Sequence, residues 1–173
     1  NRGKTIFICD TSVIEYPDAK QLAEMAKSAA RVVRLFGFDP KVAFLSHSTF
    51  GEPATDRTKR LSDAVEILKK AKVDFKFDGE MQPDVALEDT YKELYPFSQI
   101  VGNANVLIMP SLHSAAISFK IIKSMSRAKV IGPLLIGLGL AIEIAPLRSS
   151  TSEILNLASV AAYSSGVIDY KKN

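Results

Sequence analysis

Residues 105–120, NVLIMPSLHSAAISFK, decide the fold. After Asn105, Val106 to Met109 form an unbroken apolar run of strand length. Pro110 ends it, and from Ser111 onward small and apolar residues recur at helical spacing. An apolar run without alternation is buried on both faces, and a helix entered at once beyond it is the mark of a crossover connection in a parallel sheet.

The same unit repeats toward the amino terminus. KTIFICD (4–10) is a mostly apolar, β-branched strand that stops at the turn formers Asp10, Thr11 and Ser12. Asp18 then suits a helix cap with Gln21 at the capping-box position, and Leu22, Met25, Ala26, Ala29, Val33 and Phe36 share one face of a helix ending at Gly37. KVAFLS (41–46) is the next strand. A polar loop leads to a helix with Leu61, Ala64, Val65 and Leu68 on one face, and VDFKFDG (73–79) is a further strand. Beyond it the pattern predicts a short helix through Leu94, the strand and helix quoted first, strands at 128–135 and 141–146, and a last helix over 150–163, with the polar DYKKN as a frayed tail. The predicted fold class is α/β, three layers α/β/α around a mostly parallel sheet.

The 173 residues suit one domain with a real core. A net charge of +3, from 22 basic and 19 acidic residues dispersed along the chain, offers no block for nucleic acid or an anionic membrane. The one cysteine, Cys9, sits inside TIFIC, where a buried, reduced thiol is expected and no internal disulfide is possible. The longest apolar run, 130–147, is interrupted by Gly132, Pro133, Gly137, Gly139 and Glu143, so no membrane span is expected and a cytoplasmic location is the default. A chain that opens at Asn1 and enters a strand almost at once is expected to be a piece of a longer polypeptide.

Parallel sheets bind ligands beyond the carboxyl ends of their strands, which here gives four loops: 10–13, 46–52, 78–84 and 110–116. Ser46, Ser48, Thr49, Ser111, His113 and Ser114 are their candidate ligand-binding groups. A helix entered at SLHSAA can seat phosphate on its free N–H groups, and Ala115 and Ala116 leave room for it, although the ordinary task of Ser111 or Ser114 is to cap the helix. His47 and His113 have no spaced partner that makes a triad or a zinc site. Asp78, Glu80 and Asp84 have the chemistry for proton transfer or magnesium, while solvated loop charges are commoner. SHSTFGE lacks a phosphate-cradling signature, and GLGLAIE lacks the third glycine of a dinucleotide fingerprint.

VAFLSHSTFGE (42–52), DGEMQPDVAL (78–87), 95–120 and 130–163 resemble, in that order, the carboxyl-terminal half of the phosphate acetyl/butyryltransferase family, and 5–26 resembles the strand and helix ahead of them. LSHSTFG, IAPL and SEILNLA further resemble the phosphotransacetylase-like domain at the carboxyl end of multidomain NADP-dependent malic enzymes. The resemblance implies a phosphotransacetylase or isocitrate/isopropylmalate dehydrogenase-like fold. Residues 1–138 would be its second subdomain, and 139–173 a last strand and helix returning to a first subdomain whose amino-terminal half is absent.

It also implies an acyl-coenzyme A and phosphate cleft reached by Lys120. The transferases carry a Ser-Arg pair after the last strand and an Asp seven positions past the Ser; here Pro146, Leu147 and Glu153 occupy those places, with Arg148 one residue on. Ala116 replaces a usual asparagine and Leu140-Ala141 a usual Lys-Pro. Proline and leucine neither hold phosphate nor stabilise an oxyanion. The expectation is a domain without catalytic residues or a metal of its own. It would bind acetyl-coenzyme A as feedback effector and help oligomerise an oxidoreductase that decarboxylates malate to pyruvate, with NADP and a divalent metal in the parent only. The alternative is an acyltransferase acting between coenzyme A and phosphate. On either reading Ile154, Leu155, Leu157, Ala158, Ala161 and Ala162 on the last helix, which would normally pack on the absent half, are expected to be covered by a second copy of the chain or by a crystal neighbour.

Overall fold

The computed structural model describes residues 4–126, 128–138 and 140–167. Gly139 and the DYKKN tail lie outside them. The chain divides into two compact units, Asn1–Phe119 and Lys120–Asn173.

The first unit is built on a parallel sheet of β1 (Phe7–Cys9), β2 (Lys41–Leu45), β3 (Lys76–Met81) and β4 (Val106–Ile108), in the order β1-β4-β2-β3. Phe7 pairs with Val106, Val42 with Val106 on the other side, and Val42 with Phe77. The strand periodicity of two sorts the side chains cleanly. Val42, Phe44, Val106 and Ile108 face one layer, and Ala43, Leu45, Leu107 and Met109 the other. The first layer is α1 (Ala19–Leu35) with α2 (Asp56–Ala71), whose buried stripes are the apolar faces the sequence predicts: Leu22, Ala26, Ala29 and Val33, and Leu61, Ala64, Val65 and Leu68. The second layer holds α3 (Pro83–Leu87), Ile100, Val101 and Ala115. Phe44, Leu22, Leu61 and Leu68 are fully buried, each worth about 2 kcal/mol of apolar transfer.

Local chemistry sets the helix limits. Asp18 accepts from the Gln21 amide at 2.8 Å while the Gln21 side chain accepts from the Asp18 amide at 2.9 Å, closing the expected capping box. Thr55 and Thr58 do the same for α2. The short helix expected through Leu94 resolves into α3 and a single 3₁₀ turn, Asp89–Tyr91. Pro83 suits a first helical turn, and the chain leaves α-geometry at Glu88.

The boundary between the units falls inside α4 (Leu112–Met125). In the second unit, α5 (Thr151–Val167) is the predicted last helix. The strands expected at 128–135 and 141–146 are not formed among the described residues. A strand exists only by pairing, and residues 128–145 make no backbone-to-backbone hydrogen bond among those described. Side chains serve instead: Ser126 Oγ accepts from the Ala128 amide at 3.2 Å, and Glu143 Oε2 from the Leu135 amide at 2.9 Å.

Candidate functional site

The carboxyl ends of the four strands of the first unit carry the loops that the sequence marks. After β1, Asp10 folds the chain around its own carboxylate, Oδ1 accepting from the Ser12 and Val13 amides at 2.7 and 3.0 Å and Oδ2 from the Ile14 amide at 2.7 Å. Such a turn is what an Asp followed by small polar residues prefers.

After β2, the 46–52 loop doubles back on β3. The Ser46 amide donates to the Met81 carbonyl at 2.9 Å and the Phe50 amide to the Glu80 carbonyl at 2.8 Å. These bonds keep the chain alongside β2 past Gly79, so β3 runs on to Met81 where the sequence places a loop. Asp78 and Glu80 are therefore strand residues. Glu80 is 1% exposed. Its Oε1 accepts from the Gly51 amide at 2.7 Å and from Ser48 Oγ at 3.2 Å, and its Oε2 from Ser62 Oγ of α2 at 2.5 Å. Three donors from two elements satisfy a carboxylate that would otherwise be costly to bury.

Of the candidates on this loop, Ser48 and Thr49 are buried and their hydroxyls are engaged, Ser48 with Glu80 and with Ser46 Oγ, Thr49 as acceptor from the Gln82 amide. Ser46 is half-buried and His47 exposed. At the start of α4, Ser111 Oγ accepts from the Ser114 amide at 3.3 Å and lies 3.1 Å from Ser114 Oγ, and His113 is exposed. Ser111 is thus the helix cap. The remaining candidates lie in the second unit. Lys120 and Arg148 are exposed. Glu153 closes a capping box on α5, accepting from the Ser150 amide and Oγ at 2.8 and 2.9 Å, and takes Lys123 Nζ at 3.2 Å. The Ser150 amide, then its hydroxyl, then Lys123 hold this carboxyl below its usual range, whereas burial, opposed by the Leu135 amide, pushes the Glu143 carboxyl up.

Two supports are invisible in the sequence. Arg60 of α2 donates through Nη1 to the Pro17 carbonyl at 2.7 Å and through Nη2 to the Pro110 carbonyl at 2.8 Å, with its guanidinium 3.7 Å from the Tyr16 ring centroid. It ties the β1 and β4 loops together. Ser62 performs the equivalent task for β3. Their only signal is position, polar residues flanking the buried stripe around Leu61. Among the described residues no three His, Cys, Asp or Glu side chains come together as metal ligands would. Asp84 is instead held by Tyr91 Oη at 2.8 Å, and Asp78 by the Gly79 amide at 3.0 Å. A groove of about 650 Å³ runs along the outer edge of β3 between Phe50 and Phe97 on one side and Ser62 and Lys69 on the other.

A parallel sheet between two helical layers, with interlocked polar loops at the strands' carboxyl ends, is the architecture of α/β proteins that take ligands at that edge. Residues 1–162 match the phosphate acetyl/butaryl transferase family, and the chain belongs to it. Among its relatives, an NADP-dependent malic enzyme of Rhizobium meliloti is 45% identical over 95% of this chain and 22% of its own length. The phosphate acetyltransferase of Bacillus subtilis is 34% identical over 93% of this chain and 50% of its own. A phosphotransacetylase structure from Streptococcus pyogenes superposes with a TM-score of 0.86 at 32% identity, over 94% of this chain and 50% of that one. The EutD phosphotransacetylase of Staphylococcus aureus gives the same TM-score at 28% identity, over 95% of this chain and 51% of that one. The chain thus spans about a fifth of the malic enzymes it resembles and about half of the transferases.

Proposed function

We propose that the chain is the phosphotransacetylase-like domain at the carboxyl end of a cytoplasmic NADP-dependent malic enzyme, binding acetyl-coenzyme A as feedback effector and assembling the parent through self-association. The observation that carries this reading is the 45% identity to a malic enzyme over nearly the whole length of the chain; the resemblance to the transferases further implies Pro146 and Leu147 where they carry Ser-Arg.

The side chains support binding without turnover. Leu147 is fully exposed and apolar, and Glu153, in the position of the transferases' Asp, is engaged by Ser150 and Lys123. Acyl transfer needs a cation on phosphate and donors on the developing oxyanion, and an apolar side chain and a carboxylate supply neither. Ser46, Ser111, His113 and Ser114 remain the groups of the first unit proposed to meet the acyl-coenzyme A, and Lys120 and Arg148 those of the second, with Ser48 and Thr49 in the one and Glu153 in the other shaping their surroundings. Ile154 and Leu155 on α5 are exposed and would be covered by a second copy.

The test is calorimetric titration of acetyl-coenzyme A into the full-length parent, with malate oxidation and acetyl phosphate formation followed in the same preparation. Binding with inhibition and without acetyl phosphate is expected. A second reading, phosphate acetyl/butyryltransferase, is favoured by the 34% identity to the Bacillus subtilis enzyme; acetyl phosphate formation lost on Lys120→Ala would establish it.

A further inference from the structure

We infer that Glu80 is the positioning residue of the 46–52 loop, holding its ligand-facing groups in a binding-ready shape from beneath; the inference rests on the functional reading above. The loop leaves β2 with few apolar anchors. Phe50 packs on Tyr95 and Phe97, with ring centroids 5.3 and 4.9 Å away, but Ser46, His47 and Ser48 have no such support. What fixes them is polar. Glu80 Oε1 collects the Gly51 amide at the far end of the loop and Ser48 Oγ in its middle, and Ser48 Oγ reaches Ser46 Oγ at 3.1 Å. Oε2 is braced by Ser62, so the carboxylate cannot follow the loop if the loop shifts.

A carboxylate buried to 1% exposure is an expensive bracket. An apolar residue of equal size would fill the volume as well but leave the Gly51 amide and the Ser48 hydroxyl without their acceptor, the loop then resting on its backbone bonds alone, Ser46 to Met81 and Phe50 to Glu80. The return for the cost is a single conformation for the loop, and with it the placement of Ser46 and His47 at the sheet edge where ligands bind. Glutamine is the informative conservative change. Its amide oxygen can take over the bonds to Gly51 and Ser48, and its NH₂ then meets Ser62 Oγ, a hydroxyl able to accept as readily as donate. Alanine removes every side-chain bond and keeps only the backbone one from the Phe50 amide.

The experiment uses the full-length parent carrying Glu80→Ala or Glu80→Gln. It compares acetyl-coenzyme A affinity well below the melting temperature with amide hydrogen exchange over peptides spanning 46–52. We expect Glu80→Ala to speed exchange in that loop and to weaken binding by about tenfold, the scale of one or two hydrogen bonds no longer held in place, and Glu80→Gln to restore both. Lowered melting temperature with unchanged affinity and unchanged loop exchange would overturn the inference, making Glu80 a structural residue only. A wild-type parent that binds no acetyl-coenzyme A overturns the functional reading and the ligand half of the inference, while loop exchange still decides the anchoring half. Should Glu80→Ala not fold, Ser62→Ala removes only the brace on Oε2 and is expected to shift both readouts in the same direction by less; no shift in either would count against the bracket.

Discussion

Cys9 shows how much one residue's surroundings decide. It is half-buried against the core cluster under α1, less covered than the sequence suggests, and desolvation of its thiol, with the Asp10 carboxylate beside it, pushes the group from its ordinary 9.0 up to about 12. The folded chain then holds a proton that the unfolded chain releases between those two values. This contribution to stability is whole below pH 9 and is lost as pH rises toward 12. We expect iodoacetamide at pH 8 to label Cys9 slowly in the native chain and fast in urea, because the thiolate is the nucleophile. Equal rates would contradict the burial. Gly79 is a second such residue. At φ +143°, a Cβ there would meet the Phe44 carbonyl oxygen at 2.8 Å and its Cβ at 2.9 Å, both parts of the core strand β2. Gly37, at φ +82°, has open space around it. Gly37→Ala should therefore cost about 1 kcal/mol of backbone strain, and Gly79→Ala clearly more, as read from urea midpoints.

Helices and strands differ in how far they are written locally. The capping box of α1 needs only Asp18 and Gln21, and its buried stripe only residues within the same helix, so both are readable from the sequence. The test is direct: Asp18→Ala should lower stability by about 1 kcal/mol, with Asn at the same position nearly harmless. The carboxyl end of β3 is different, because its extension to Met81 depends on Ser46 and Phe50 bonding to a strand thirty or more positions away. The expected strands at 128–135 and 141–146 fail for the same physical reason, since extended, apolar segments become strands only against a neighbour. The loops behave likewise. That serines and threonines gather at the carboxyl ends of strands is legible, but which of the loop's hydroxyls are engaged is decided by Glu80, contributed by β3 and braced by Ser62 of α2.

For the molecule as a whole, family membership is legible because ordered blocks resembling the family run along nearly the entire chain, whereas whether a ligand cleft is kept is not written in such blocks. If acetyl-coenzyme A is the effector, it acts only by preferring one state of the parent, as a ligand with equal affinity for both shifts nothing. Binding linkage is reciprocal, so whatever factor acetyl-coenzyme A imposes on malate affinity, malate must impose on acetyl-coenzyme A. We therefore expect the dissociation constant for acetyl-coenzyme A, measured on the full-length parent by calorimetry, to rise when malate and NADP saturate the catalytic part. A parent truncated to remove this domain should oxidise malate without responding to acetyl-coenzyme A. An affinity indifferent to malate and NADP, in a parent that still binds the effector, would mean that the domain holds its ligand without transmitting it, and would leave assembly as its contribution.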